Sequence, residues 1–349
     1  MTRADADARA KDVLAWAAAA CDPEIRSWVG ALGALPGKVT AYQLGWSEEL
    51  ASRGHYGGKS VRAALALLSA RAVGGEAAAA VPAAATVEMV HNLSLLYDDV
   101  LDGDTVRRHR AAAWQVFGPA SATRAADALL MLSFETLSAP GGDARIAQEA
   151  SAALLDTLIQ LAVGEGLDVL FERRARVEVE ECLEMISGKT ASLFACACRL
   201  GALYGEANAA DTERFAAFGH DLGMAFQLVD DLLGIWGNSD VTGKPVFADL
   251  RARKMSTPVV AALASDTTAA KELARRYARP PGPDPDGEGA LLAELVEEAG
   301  GRRWAHRLAA EHAEAADEWL RELEERPGAA SEALSDLRAV CDLIVTRSH

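Results

Sequence analysis

Cysteine is scarce in this 349-residue chain, and the five present, Cys21, Cys182, Cys196, Cys198 and Cys341, are odd in number and lack C-x-x-C spacing. That excludes a disulfide framework or a cysteine-bound zinc and leaves reduced, buried thiols in a cytoplasmic setting as the expectation. β-branched runs are few and no stretch alternates apolar and polar residues over six or more positions, which excludes a sheet protein. Uncharged apolar runs of membrane-spanning length are missing. The start, Met1-Thr2-Arg3-Ala4-Asp5-Ala6-Asp7, carries acids where a signal peptide needs an apolar core. Positive charge is also in deficit: 35 Lys and Arg against 51 Asp and Glu leave a formal charge of −16, the wrong sign for a nucleic-acid partner.

What is present is helical text. Half of the residues are apolar, and alanine-rich amphipathic segments predict an all-α protein with one large core. No compositional break marks a domain boundary, so residues 1–349 read as one domain: N-terminal helices over 1–50, a core over 51–265 and C-terminal helices over 266–349. The first two helices are expected to break around Leu35-Pro36-Gly37. Further helices are expected over Val61–Val73, residues 76–102, Ala125–Leu137, Ile146–Arg173 and Val177–Leu203. The Pro/Gly-rich stretch near 280–289 reads as a solvent loop.

Chemistry concentrates at Asp98-Asp99-Val100-Leu101-Asp102-Gly103-Asp104, followed by Arg107-Arg108-His109-Arg110. On a helix, Asp98 and Asp102 lie one turn apart on nearly the same face. Taken alone, such a cluster reads first as a solvated acidic helix end; a hard cation between the carboxylates, with a phosphate as its other ligand, is the sharper reading. A second apolar helix delivers another pair, Asp230-Asp231, 132 residues later. If the two pairs face each other across a helical cavity, they make a cage for several Mg²⁺ ions, suited to an amphiphile with a diphosphate head. Earlier in the chain, Gly57-Gly58-Lys59 opens directly into a helix bearing Arg62. Cations at a helix N-terminus have the wrong sign unless an anion binds there, so the loop is either an anion site or a glycine turn with two solvated charges. His91, two turns before Asp98, is by itself either a core histidine or a ligand.

Together and in this order, these motifs resemble the trans-isoprenyl diphosphate synthases, closest to those making geranylgeranyl diphosphate. Asp98–Asp102 is similar to the family's first aspartate-rich motif, D-D-x-x-D, Asp230-Asp231 to the start of the second, and Gly57-Gly58-Lys59 with Arg62 to its G-G-K-x-x-R loop. Lys189-Thr190, Phe226-Gln227 and Gly243-Lys244 follow in family order. The resemblance implies a homodimeric bundle of antiparallel helices around a central apolar cavity, the isoprenoid synthase type I fold. It also implies about three Mg²⁺ ions held by Asp98, Asp102 and Asp230, with Asp99 and Asp231 in support. Arg107, Lys189, Lys244 and Lys254 would hold an allylic diphosphate; Lys59, Arg62, His91 and Arg108 would hold isopentenyl diphosphate. Thr190 and Gln227 would face the allylic cation.

The chain departs from the family at four places: Ser60 and Ala63 replace arginine and proline, Glu165 replaces a glutamine before Asp168, and Gly234 replaces the fifth-position acid of the second motif. Asn238 or Asp240 could compensate for the last. Leu93 and Ser94, before the first motif, are not aromatic, which by family logic disfavours a C15 stop; Phe134 is the candidate deeper floor, and C20 is the expected product. A class I terpene cyclase would not need Lys59, Arg62, His91 and Arg108, and a non-catalytic subunit or prenyl-lipid binder would have lost an aspartate motif.

Overall fold

The computed structural model describes residues 3–46, 60–138, 142–174, 176–237, 246–279, 285–326 and 328–346. Lys59, Lys244, Asn238 and Asp240 lie outside the described residues, as do Gly57, Gly58 and Gly243. Of the described residues 82% are helical, an all-α fold. In order the helices are α1 (Arg3–Gly30), α2 (Ala34–Gln43), α3 (Val61–Ala72), α4 (Val81–Leu101), α5 (Ala113–Phe117), α6 (Pro119–Leu137), α7 (Ala144–Phe171) and α8 (Val179–Ile186). They continue as α9 (Ser192–Tyr204), α10 (Ala209–Trp236), α11 (Ala248–Arg251), α12 (Thr257–Ala264), α13 (Thr268–Tyr277), α14 (Pro285–Glu298), α15 (Gly301–Glu324) and α16 (Ser331–Val345).

Four local expectations change. The first helix break falls at Ala31–Gly33, and Pro36 sits in the first turn of α2, where a missing N–H is harmless. The expected helix over Val177–Leu203 is interrupted by a π-helical turn, Ser187–Ala191. The Pro/Gly stretch is already helical from Pro285. Between α4 and α5 stands a small hairpin, β1 (Val106–Arg107) paired antiparallel with β2 (Arg110–Ala111).

Two compact units organise the described chain. The first holds residues 1–155, 196–216 and 320–340, and the second holds residues 156–195, 217–319 and 341–349. In the first, α4 packs most extensively on α6, through small buried residues such as Ala83, Ala84, Ala122, Ala125 and Ala126. Their lack of bulk lets the two backbones approach closely. Thr86 Oγ1 donates to the Ser133 carbonyl (3.2 Å), and Tyr97 donates to Asp127 Oδ1 (2.6 Å). The segment Ala77–Leu101 is long and apolar enough to cross a membrane, but 61% of an 18-residue apolar window within it is buried inside the fold, as befits a core helix. In the second unit, one core gathers Phe171, Met185, Ile186, Leu228 and Val260, and another gathers Ile235, Leu250, Leu273, Leu292 and Val296. Cys21, Cys182, Cys196 and Cys198 are buried free thiols and Cys341 is half-buried.

Candidate active site

In the first unit, the aspartate motif forms the end of α4. Asp102 is the C-cap and donates its N–H to the Asp98 carbonyl (2.8 Å), and Gly103, at φ +70, turns the chain out of the helix. The paired aspartates are not equivalent. Asp98 is half-buried and Asp102 exposed, whereas Asp99 is buried at 1% exposure. Arg107 Nε donates to Asp99 Oδ1 (2.8 Å), and its Nη2 bonds the same oxygen and reaches Asp104 (3.4 Å). Burial raises the Asp99 carboxyl and Arg107 opposes that shift. Asp99 Oδ2 is buried and accepts no hydrogen bond.

The hairpin places the arginines. Its two-residue turn, Arg108-His109, has φ of 52° and 61°, left-handed values that glycine or asparagine adopts more readily. Arg110 is fixed beside it by bonds to the Tyr42 and Gln43 carbonyls and by stacking 4.5 Å from the Tyr42 ring. Arg108 bears electrostatically on His91, as do Arg62 from the first turn of α3 and Arg107. Burial first, then these three cations, hold the His91 imidazole well below its ordinary value, so the ring is neutral. Burial lowers Arg62 to about 10, leaving it charged at neutral pH. Leu93 is buried; Ser94 is half-buried and donates its hydroxyl to the His91 carbonyl (2.9 Å); Phe134 is half-buried on α6.

The second unit repeats the asymmetry. Asp230 is exposed, while Asp231 is buried and saturated with donors. Its Oδ1 accepts from Gln227 Nε2 (2.8 Å), and its Oδ2 accepts from the N–H (2.9 Å) and hydroxyl (2.8 Å) of Thr257 at the start of α12. Burial raises the Asp231 carboxyl to about 7, opposed by the Thr257 N–H and reinforced by Asp249. Thr190 donates its hydroxyl to Gln227 Oε1 (2.7 Å), so one chain of bonds runs Thr190–Gln227–Asp231–Thr257.

Lys189 lies in the π turn, against α7. A β-carbon on Gly164 would lie 2.3 Å from the Lys189 nitrogen, and one on Gly188 2.6 Å from the Gln160 carbonyl oxygen. Only glycines permit that approach, and it brings Lys189 Nζ to 2.7 Å from both Glu165 and Asp168. His220 Nε2 holds the first residue of the turn, 2.9 Å from Ser187 Oγ. Lys254 is exposed after α11. At Gly234, on the same helix as Asp230, the missing side chain leaves room for the carboxylate of Asp249 from α11.

Sequence reasoning missed three participants: Asp249, Glu88 and Thr257. Glu88 was legible as a lone acid in an apolar helix, three residues before His91. Asp249 and Thr257 had no local signal, because each acts across a turn of the fold.

Divalent cations suit this donor set. Carboxylates near a helix C-terminus face the negative end of the macrodipole in each unit, on α4 in the first and near the end of α10 in the second, and a cation at either would compensate it. Asp99 Oδ2 is buried without a hydrogen-bond partner among the described residues, its carboxylate being held by Arg107 through Oδ1. Among the described residues, no three His, Cys, Asp or Glu side chains converge to hold an ion alone.

The comparisons with known proteins agree with this geometry. The polyprenyl synthetase family model matches residues 46–288. The (2E,6E)-farnesyl diphosphate synthase of Mycobacterium tuberculosis is 41% identical over 293 residues, 83% of this chain and 81% of the relative. The geranylgeranyl diphosphate synthase of the same organism is 41% identical over 307 residues, 88% of this chain and 87% of the relative. A crystal structure of a polyprenyl synthetase from Streptomyces coelicolor superposes with a TM-score of 0.87 at 40% identity, covering 96% of this chain and 99% of the other. With the helical fold, the two aspartate motifs and these relatives in agreement, the chain belongs to the polyprenyl synthetase family, the trans-prenyl diphosphate synthases.

Proposed function

We propose that this protein condenses isopentenyl diphosphate with an allylic diphosphate in a Mg²⁺-dependent reaction and releases geranylgeranyl diphosphate, C20. The observation carrying the reading is the split within each aspartate pair: Asp99 and Asp231 are buried and locked by Arg107 and by Gln227 with Thr257, while Asp102 and Asp230 are exposed and Asp98 is half-buried. Asp98, Asp102 and Asp230 would hold the metal ions, and Asp99 and Asp231 would fix the helix ends that present them. Bound Mg²⁺ supplies charge neutralisation of the diphosphate leaving group.

The residues then have separable tasks. Arg107, Lys189 and Lys254, with Lys244 from outside the described residues, hold the allylic diphosphate as its carbon–oxygen bond breaks and the electron pair leaves with the phosphate. Arg62, Arg108 and neutral His91, with Lys59, hold isopentenyl diphosphate. Its double bond attacks the allylic cation, a carbon–carbon bond forms, and a proton passes to the departing diphosphate. Thr190 gives its proton to Gln227, so its oxygen lone pairs are available to the positive charge. Small Ser94 and aliphatic Leu93 leave the region before the first motif without an aromatic stop, which supports C20 over C15. The relatives divide between farnesyl and geranylgeranyl enzymes at equal identity. A homodimer is part of the reading: on α7, Leu155, Ile159 and Val163 recur every fourth residue and are 53%, 56% and 52% exposed, an apolar stripe that a second copy would cover.

Purified protein, Mg²⁺, radiolabelled isopentenyl diphosphate and C5, C10 or C15 primers test this directly. Label should appear in a C20 diphosphate, be lost in Asp98→Ala and require a higher isopentenyl concentration in His91→Ala. No label in a longer diphosphate with any primer would sink the reading.

A further inference from the structure

Glu88 has no place in the chemistry above, yet it is a carboxylate buried to 9% exposure in the middle of α4. Its Oε1 accepts a hydrogen bond from the Ala63 N–H (3.2 Å), in the first turn of α3. That helix starts from Ser60, which is left-handed at φ 48° and makes no side-chain cap. A neighbouring helix therefore supplies the acceptor that the local sequence does not, and with the charge sign that a helix N-terminus favours. Arg62, the residue beside Ala63, is the nearest cation in sequence to that bond.

The charges around Glu88 come from four elements. Arg62 on α3 and Arg108 in the hairpin both stabilise its charge, His91 lies one turn further along α4, and Cys21 faces it from α1. Burial raises the Glu88 carboxyl; Arg62, the Ala63 N–H and Arg108 oppose that shift. Burial in turn lowers Arg62 and Arg108, and Glu88 opposes both. Guanidiniums that lose hydration beside a buried carboxylate need a countercharge while the anion pocket is empty. Glu88 is placed to be that charge.

We propose that Glu88 is a positioning residue for the isopentenyl diphosphate site: its carboxylate, bonded to the first turn of α3 at Ala63, fixes Arg62 beside that bond and gives half-buried Arg62 and Arg108 a countercharge before the substrate phosphates arrive. The inference rests on the function proposed above.

Glutamine at this position keeps the volume and can still accept from Ala63, so Glu88→Gln removes the charge and little else. We expect the isopentenyl KM of Glu88→Gln to rise about tenfold, with kcat and the allylic KM within about threefold of the parent protein. Glu88→Asp, which keeps the charge on a shorter arm, should fall between the two. If Glu88→Gln fails to fold by circular dichroism, Glu88→Asp carries the test through the same split between the two KM values. An unchanged isopentenyl KM, or an equal loss on both substrates, would overturn the inference while the functional reading stands on the parent's turnover. A parent protein that consumes no isopentenyl diphosphate with any primer overturns both.

Discussion

A β-carbon on Gly234 would lie 2.0 Å from Oδ2 of Asp249 and 2.6 Å from its Cγ. The position where the family carries the last acid of its second motif is thus filled by a carboxylate from another helix. Asp249 also acts electrostatically on Asp231, so the negative charge near the second motif is kept although Gly234 has none to give. Gly234→Asp should therefore not repair the motif. It must expel Asp249, at a loss of about 1–3 kcal/mol, while Gly234→Asp with Asp249→Gly should recover most of that by exchanging the carboxylate between helices. Urea denaturation of the parent and the two variants checks this; a single Gly234→Asp as stable as the parent would show that Asp249 does not hold that space.

Lys189 is the next point of tension. Glu165 and Asp168 each lie 2.7 Å from its ammonium and compete with any phosphate for it. Glu165→Gln removes one competitor and leaves Asp168 to orient the lysine. The allylic KM should fall a few-fold, with the isopentenyl KM unchanged, in steady-state assays with each substrate varied in turn. A raised allylic KM would mean that Glu165 holds Lys189 in its working position.

Left-handed backbone at the hairpin gives a stability prediction. His109 is exposed, and at φ 61° it sits where a side chain is strained. His109→Gly relieves that strain at some entropic expense in the unfolded chain, so a net gain of about 1 kcal/mol or less is expected, with activity retained. Arg108→Gly relieves the same kind of strain but should raise the isopentenyl KM. Thermal denaturation and kinetics on the pair separate backbone from charge.

Much of this was legible in the sequence because it is local. Alanine-rich periodicity marks the helices, and the aspartate pairs at two helix ends are visible in the spacing, although their proposed task comes only with the family resemblance. What escaped depends on partners remote in the chain. The different surroundings of Asp98 and Asp99 are set by Arg107 across the hairpin, and those of Asp230 and Asp231 by Thr257. Residues Asn238 and Asp240 were the sequence's candidates to replace the missing acid, whereas Asp249 is the one that occupies the space beside Gly234. The π turn at Lys189 was hidden because its cause is an inter-helix approach at Gly164 and Gly188, which no periodicity encodes.

His220 supplies a pH test. Burial lowers its pKa, the Asp221 charge opposes this, and His312 adds to it. A histidine with a folded pKa below its unfolded value near 6.5 contributes full stability above that pH. Below it, the unfolded chain takes up the proton more readily and stability is lost. His220→Gln has no such proton to take. The stability advantage of the parent over the variant should therefore shrink as pH falls from about 7.5 to about 5.5, in urea titrations at the two values. A difference that stays constant or widens would mean that His220 is protonated in the folded protein.

In the proposed C20 reading, chain length turns on the wall of α4 below the first motif. Ser94 is one turn before Asp98, about 6 Å down the helix axis, and its hydroxyl is turned back to the His91 carbonyl. A tail growing away from a diphosphate at Asp98 and Asp102 would pass this level early. Ser94→Phe adds a ring there, which the alanine-lined packing of α4 on α6 cannot absorb without filling space the tail would use. The product should shorten from C20 to C15. Phe134, half-buried on α6, is the candidate stop at greater depth, and Phe134→Ala should lengthen the product beyond C20. Product chromatography with labelled isopentenyl diphosphate decides both. If the parent already stops at C15, Ser94 is not the open gate, and Phe134→Ala then becomes the variant that identifies the floor: a shift to longer products assigns it, and an unchanged C15 removes it.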